Sequence, residues 1–152
     1  MVEQNEELRK FNYIMGEIDG EYHNLCVSME ISDSVFNILY FIYDQGDGAS
    51  QSQIVKYFGT SRKTVNSAIH KMVTQGLITL SDKEGRNKKI YLTKEGRKLA
   101  DSIIPDVVAA ENDALNSWSE GDKEIFLRML NDYKEHVRKN FRCIIEERGG
   151  LK

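Results

Sequence analysis

The sequence predicts a mostly α-helical chain carrying one small β-hairpin, and three observations predict it. Apolar residues recur at spacings of three and four through most of the chain. Most segments marked in this way open on a serine or threonine, whose hydroxyl can accept from the free amides of a helix start. Only Leu77–Leu80 and Lys89–Leu92 have the length of strands, and they flank a single polar, basic linker, Ser81–Lys88, that contains Gly85.

The elements follow in order. A first helix spans roughly Asn5 to Val27, with Phe11, Ile14, Met15, Ile18, Tyr22 and Leu25 on one stripe; Gly16 and Gly20 weaken it locally. A second starts at Ser32, with the serine as cap, Asp33 at the positive end of the dipole, and Ile31 and Phe36 placed as a hydrophobic staple. Its run Val35–Tyr43 is apolar almost all round, which predicts a central helix. Ser50-Gln51-Ser52-Gln53 is a capping box opening a short helix with Ile54, Val55 and Phe58 inward and Gly59 at its end. Thr60-Ser61 caps the next at once. Val65, Ala68, Ile69 and Met72 line its buried face, and Gly76 stops it. After the hairpin, Thr93 caps a long helix reaching about Asn116, with Pro105 expected to kink it near Ile104. Trp118, Ser119 and Asp122 open the last helix, whose stripe is Phe126, Leu130, Tyr133, Val137, Phe141 and Ile144.

Charge is distributed unevenly. Ser50 to Lys98 holds eleven Lys and Arg against three acids, a net of +8, while the other residues hold ten against twenty-one, −11. An acidic body carrying one basic module is an electrostatic footprint for a polyanion. The longest apolar run is too short to span a bilayer, and the acidic, polar N-terminus is not that of a secretory signal, so a cytoplasmic location without membrane contact is expected.

The basic module coincides with a short helix, a tight turn, a polar-faced helix and the hairpin: a helix-turn-helix followed by a wing. With the four apolar residues turned inward, the opposite face carries Lys63, Asn66, Ser67 and His70, flanked by Thr64 and Lys71, with Thr60, Ser61 and Arg62 at the helix start. Such a helix fits a major groove, where Asn, Ser and Thr read base edges and Lys and Arg take bases or phosphates. Lys83, Arg86, Asn87 and Lys88 on the hairpin are placed to meet the backbone or a minor groove. An adaptor that turns the same face to an acidic protein surface is the reading from another class.

The stretch from Ser52 to Ala100 resembles the MarR family, the multiple antibiotic resistance regulators. The resemblance is carried by Gly76-Leu77-Ile78 at the exit of the polar-faced helix, Asp82 with Arg86 in the wing, and Leu92-Thr93-Lys94-Glu95-Gly96 after it. The outer helices match in order and length. Members often carry Arg where this chain has Ser67, so the base sequence read does not transfer. The resemblance implies one domain over 1–152, with the winged module at 32–98 and a helical dimerisation region from both termini, 1–31 and 99–152. It further implies double-stranded DNA with a palindromic operator as partner, a homodimer, and control by a small aromatic or anionic effector or by redox chemistry. The family's ligand pocket would draw on Tyr22, Cys26, Phe36 and Tyr40, although residue by residue each reads more simply as core.

Cys26 and Cys143 form no CxxC pair, which predicts two free thiols. His23 and Cys26 share a helix face with Glu30 nearby, but no second pair completes the four ligands of a structural zinc, so no metal and no cofactor is expected. Cys26 beside Tyr22, Tyr40 and Tyr43 could be an oxidant sensor, yet no Lys or Arg lies between Lys10 and Lys56 to lower its pKa. The three histidines and the absence of nucleophile, phosphate-loop or metalloprotease motifs predict a protein that is not an enzyme.

Overall fold

The computed structural model describes residues 3–81 and 88–149, and its elements run α1 (Glu6–Ser28), α2 (Asp33–Gln45), β1 (Ala49–Ser50), α3 (Gln51–Phe58), α4 (Arg62–Thr74), β2 (Ile78–Leu80), β3 (Lys89–Leu92), α5 (Lys94–Asn116) and α6 (Glu120–Glu147). The chain divides into two compact units at Pro105. The predicted residues Lys83, Arg86 and Asn87, with Asp82 and Gly85, lie outside the described residues.

In the first unit the core is built on α2, as its run Val35–Tyr43, apolar but for Asn37, predicts. Val35, Phe36, Ile38, Leu39, Phe41 and Ile42 are all buried. Helix α3 adds Ile54, and α4 adds Val65, Ala68, Ile69 and Met72, the four residues that its spacing turns inward. Val55 and Phe58, which the sequence also places inward, are only half-buried. The turns are set by backbone chemistry: Gly59 takes a left-handed conformation (φ 62°) between α3 and α4, which a side chain would oppose.

The caps mostly follow the sequence. The Asn5 side chain accepts from the Leu8 amide at 2.7 Å, and Ser61 accepts from the Thr64 amide at 3.0 Å. Ser50 and Gln53 form the reciprocal capping box. Ser32 is the exception: its backbone is in the N-cap conformation, but its hydroxyl makes no cap bond, and its carbonyl instead accepts from Val35 and Phe36 at 2.9 Å.

The sheet has three strands, not the two of a simple hairpin, in the order β1-β3-β2. The hairpin pairs Ile78 with Leu92, Thr79 with Tyr91 and Leu80 with Ile90, and β1 adds Ala49 opposite Ile90. A two-residue strand has no alternation to reveal it, and here its second residue, Ser50, doubles as the cap of α3.

The hairpin is fastened where it leaves β3. The Thr93 amide donates to the Leu77 carbonyl at 3.0 Å, its hydroxyl donates to the Gly76 carbonyl at 2.6 Å, and the same oxygen accepts from the Gly96 amide at 3.0 Å. Asp47 accepts from the Leu92 amide at 3.0 Å and from the Arg97 guanidinium. Helix α5 stays helical through Pro105.

In the second unit Ser119 caps α6, accepting from the Asp122 amide at 3.2 Å, and Trp118 meets Phe126 edge to face at 5.0 Å. No residue of α6 is buried. On its predicted stripe Phe126, Leu130, Tyr133, Phe141 and Ile144 are exposed and Val137 is half-buried, while Ile14, Met15, Ile18 and Tyr22 on α1 are exposed. Among the described residues no single helix is long and apolar enough to cross a membrane.

Candidate nucleic-acid interface

Helix α4 owes its exposure to what lies behind it. Its four inward residues are buried, which fixes its rotation, and Gln51 at the start of α3 donates to the Arg62 carbonyl at 3.0 Å, tying α3 to the start of α4. The outward residues Arg62, Lys63, Thr64, Asn66, Ser67, His70 and Lys71 are all exposed. No apolar side chain is exposed between Arg62 and Lys71; Val73, beyond them, is. A face of amide, hydroxyl, imidazole and cationic groups on a rigidly backed helix offers both donors and acceptors to a groove.

Two predicted residues have a first duty inside the protein. The Ser61 hydroxyl caps α4 and lies 2.7 Å from the Thr64 hydroxyl, so both are partly occupied at the helix start. Thr60, in the turn, is half-buried. On the wing, Lys88 is exposed at the foot of β3.

Two clefts flank α4. One, of about 270 Å³, lies towards the wing, with Ile69, Leu80 and Ile90 as its apolar floor and Gln51, Asn66, His70 and Lys88 around it. The other, of about 350 Å³, runs between α4 and the start of α2, where Ser32 and Ser34 face Lys63, Thr64, Ser67 and Lys71. Gln51, Ser32 and Ser34 were not marked by the sequence. Gln51 sits in the capping motif, and only tertiary packing brings the two serines to α4.

The four residues of the implied ligand pocket stand near one another. Tyr22 and Phe36 have ring centroids 6.3 Å apart, Phe36 and Tyr40 5.8 Å, and Phe36 and Cys26 are buried. The Cys26 thiol is pushed up to about 11 by burial first, and then by the charge of Asp33 and a hydrogen bond with it. Asp33 also holds His23, whose Nδ1 is 3.1 Å from both carboxylate oxygens. A thiol so shifted is roughly one part in ten thousand ionised at neutral pH, the reverse of what an oxidant sensor needs. Peroxide at levels that oxidise sensor thiols should therefore leave Cys26 unlabelled by a sulfenic-acid probe in intact-mass analysis. A rapid adduct at Cys26 would reverse this assignment.

These elements define a winged helix whose exposed helix carries a polar, basic face. Residues 30–86 match the MarR family model. Through this segment the chain is similar to the MarR family. It is 27% identical over 127 residues to the HTH-type transcriptional regulator PecS of Dickeya dadantii (strain 3937), covering 81% of this chain and 76% of that protein. Its fold resembles NMB1585, a MarR family regulator from Neisseria meningitidis, at a TM-score of 0.80 and 17% identity over 91% of this chain and 98% of that one. It also resembles a MarR family transcriptional regulator from Listeria monocytogenes, solved with a 26mer DNA, at a TM-score of 0.72 and 21% identity over 100% and 99% of the two chains.

Proposed function

We propose that the chain is a cytoplasmic DNA-binding transcriptional regulator, a repressor that binds a palindromic operator as a homodimer and is released by a small aromatic or anionic effector. The observation that carries this is the outward face of α4: seven exposed polar or cationic side chains from Arg62 to Lys71, on a helix whose other face is buried. The net +8 of the surrounding module supports a polyanionic partner, and the Listeria neighbour was solved with DNA. Asn66, Ser67 and His70 read base edges. Thr60, Ser61, Arg62 and Thr64 serve the helix start, and Lys83, Arg86, Asn87 and Lys88 serve the wing. Lys63 and Lys71 supply charge. The aromatic cluster of Tyr22, Phe36 and Tyr40 beside Cys26 is where the effector acts. The bare apolar stripes of α1 and α6 support the dimer.

Two substitutions separate reading from holding. On a duplex selected from a random library, Asn66→Ala should lower the preference over random sequence by about 1–3 kcal/mol, the value of one good base contact. Lys88→Ala should weaken both duplexes alike and flatten the salt dependence by about one unit per lost phosphate contact. Salt titrations of wild type and both variants make the test. Unchanged affinity in both, with intact folds, would transfer the α4 face to an acidic protein partner.

A further inference from the structure

A helix seated in a major groove has a phosphodiester strand on either side of it, and α4 has a cleft on either flank. The cleft towards the wing adjoins an expected DNA contact. The cleft on the other flank adjoins α2, which the sequence presents only as a core helix. Its α2 wall is nonetheless polar: Ser32 and Ser34 stand opposite Lys63, Thr64, Ser67 and Lys71, and no carboxylate lines it.

We propose that the Ser32–Ser34 end of α2 is a second DNA-contacting element, holding a backbone phosphate of the duplex together with Lys63 and Lys71. This rests on the DNA-binding reading above and adds to it the element that seats the strand farther from the wing. Several observations converge on it. Neither Lys63 nor Lys71 takes part in an ion pair among the described residues, so both charges are free to meet a phosphate. The Ser32 hydroxyl makes no bond to its own helix, unlike the corresponding side chains of Asn5, Ser61 and Ser119. Asp33, the one acid between the two serines, is outside the cleft lining and is held by His23 of α1. The result is an open cleft with two ammonium groups and the hydroxyls of Ser32, Ser34 and Ser67, beside that of Thr64, which is shared with Ser61; these are donors of the kind that phosphate oxygens accept from without regard to base sequence.

The test uses the whole protein and a random-sequence duplex of about 30 base pairs, because a phosphate contact is blind to sequence. Ser34→Glu puts a negative charge into the cleft at a first-turn position where an acid favours the helix, so the fold should be kept, and a thermal melt checks it. Gln45→Glu adds the same charge at the far end of α2, about 16 Å away and beyond a Debye length. Ser34→Glu should lower affinity more than tenfold at about 0.1 M salt, and Gln45→Glu less than twofold. Lys71→Ala should reduce the slope of log K against log salt by about one unit per protomer. If wild type binds duplex and Ser34→Glu behaves as Gln45→Glu does, the α2 contact is overturned and the DNA-binding reading stands. If wild type binds no duplex at all, both fall.

Discussion

Gly96→Ala should destabilise the protein by about 3 kcal/mol, against the usual preference of a helix for alanine. Gly96 lies in the first turn of α5, directly over the start of the hairpin. A Cβ built there would sit 1.9 Å from the Leu77 carbonyl oxygen and 2.9 Å from its carbon. Both neighbours are backbone, so no side chain can swing aside. The helix start must move away by more than an ångström. That movement breaks the three bonds that Thr93 makes with Gly76, Leu77 and Gly96. Overpacking of this kind costs typically about 1–3 kcal/mol, and the lost hydrogen bonds add about 1 kcal/mol each. Alanine returns about 1 kcal/mol through helix propensity. The control is Gly16→Ala on α1, where nothing lies within 4 Å of the new methyl. There the same exchange should stabilise by about 1 kcal/mol. Urea unfolding at fixed protein concentration separates the two. A Gly96→Ala variant as stable as wild type would mean that the helix start and the hairpin are not locked together. Since the lock joins β2, β3 and α5, the proposed DNA binding should also weaken in the variant at temperatures where it remains folded.

That lock also marks where the sequence was legible. Leu92-Thr93-Lys94-Glu95-Gly96 stands out as a motif, but only the structure shows why its last residue can carry no side chain. The inward face of α4 could be read directly, because Val65, Ala68, Ile69 and Met72 repeat at the period of a helix and burial follows period. Strand β1 could not, because two residues carry no period and its pairing depends on Ile90, 41 residues beyond Ala49. The Ser32–Ser34 wall of the second cleft was hidden for a related reason. Serines at the start of a helix read as caps, and their distinction is that α2 lies against α4. Ser32 makes no cap bond and Val55 and Phe58 are half-buried, two departures from the local pattern. Charge placement, by contrast, is legible residue by residue, and it falls on the module whose α4 face is exposed.

Phe141→Glu combined with Ile144→Glu should convert the proposed dimer to monomers without unfolding the chain. The two side chains lie one turn apart on α6 and are 59% and 46% exposed in the single chain. Their replacement therefore removes little that the monomer uses. What they do offer is apolar surface, continuous with Phe126, Leu130 and Tyr133 along a helix that buries nothing of its own. Surface of that extent on α1 and α6 is stable in water only when covered, and a two-fold partner covers it with the same residues. Burying each such side chain is worth about 1.5–3 kcal/mol, and two-fold symmetry counts each substitution twice. Introducing four buried charges per dimer should then weaken association by more than about a thousandfold. Sedimentation at micromolar protein should show monomers, while far-UV circular dichroism keeps the helical signal. Affinity for an inverted-repeat duplex should fall about 10²–10⁴-fold, because a monomer loses the tethering of the second half-site about 34–36 Å away. Binding to random duplex, carried by phosphate contacts within each protomer, should fall much less. A double variant that sediments as the wild type does, at every concentration, would show that the α6 stripe is not the dimer surface.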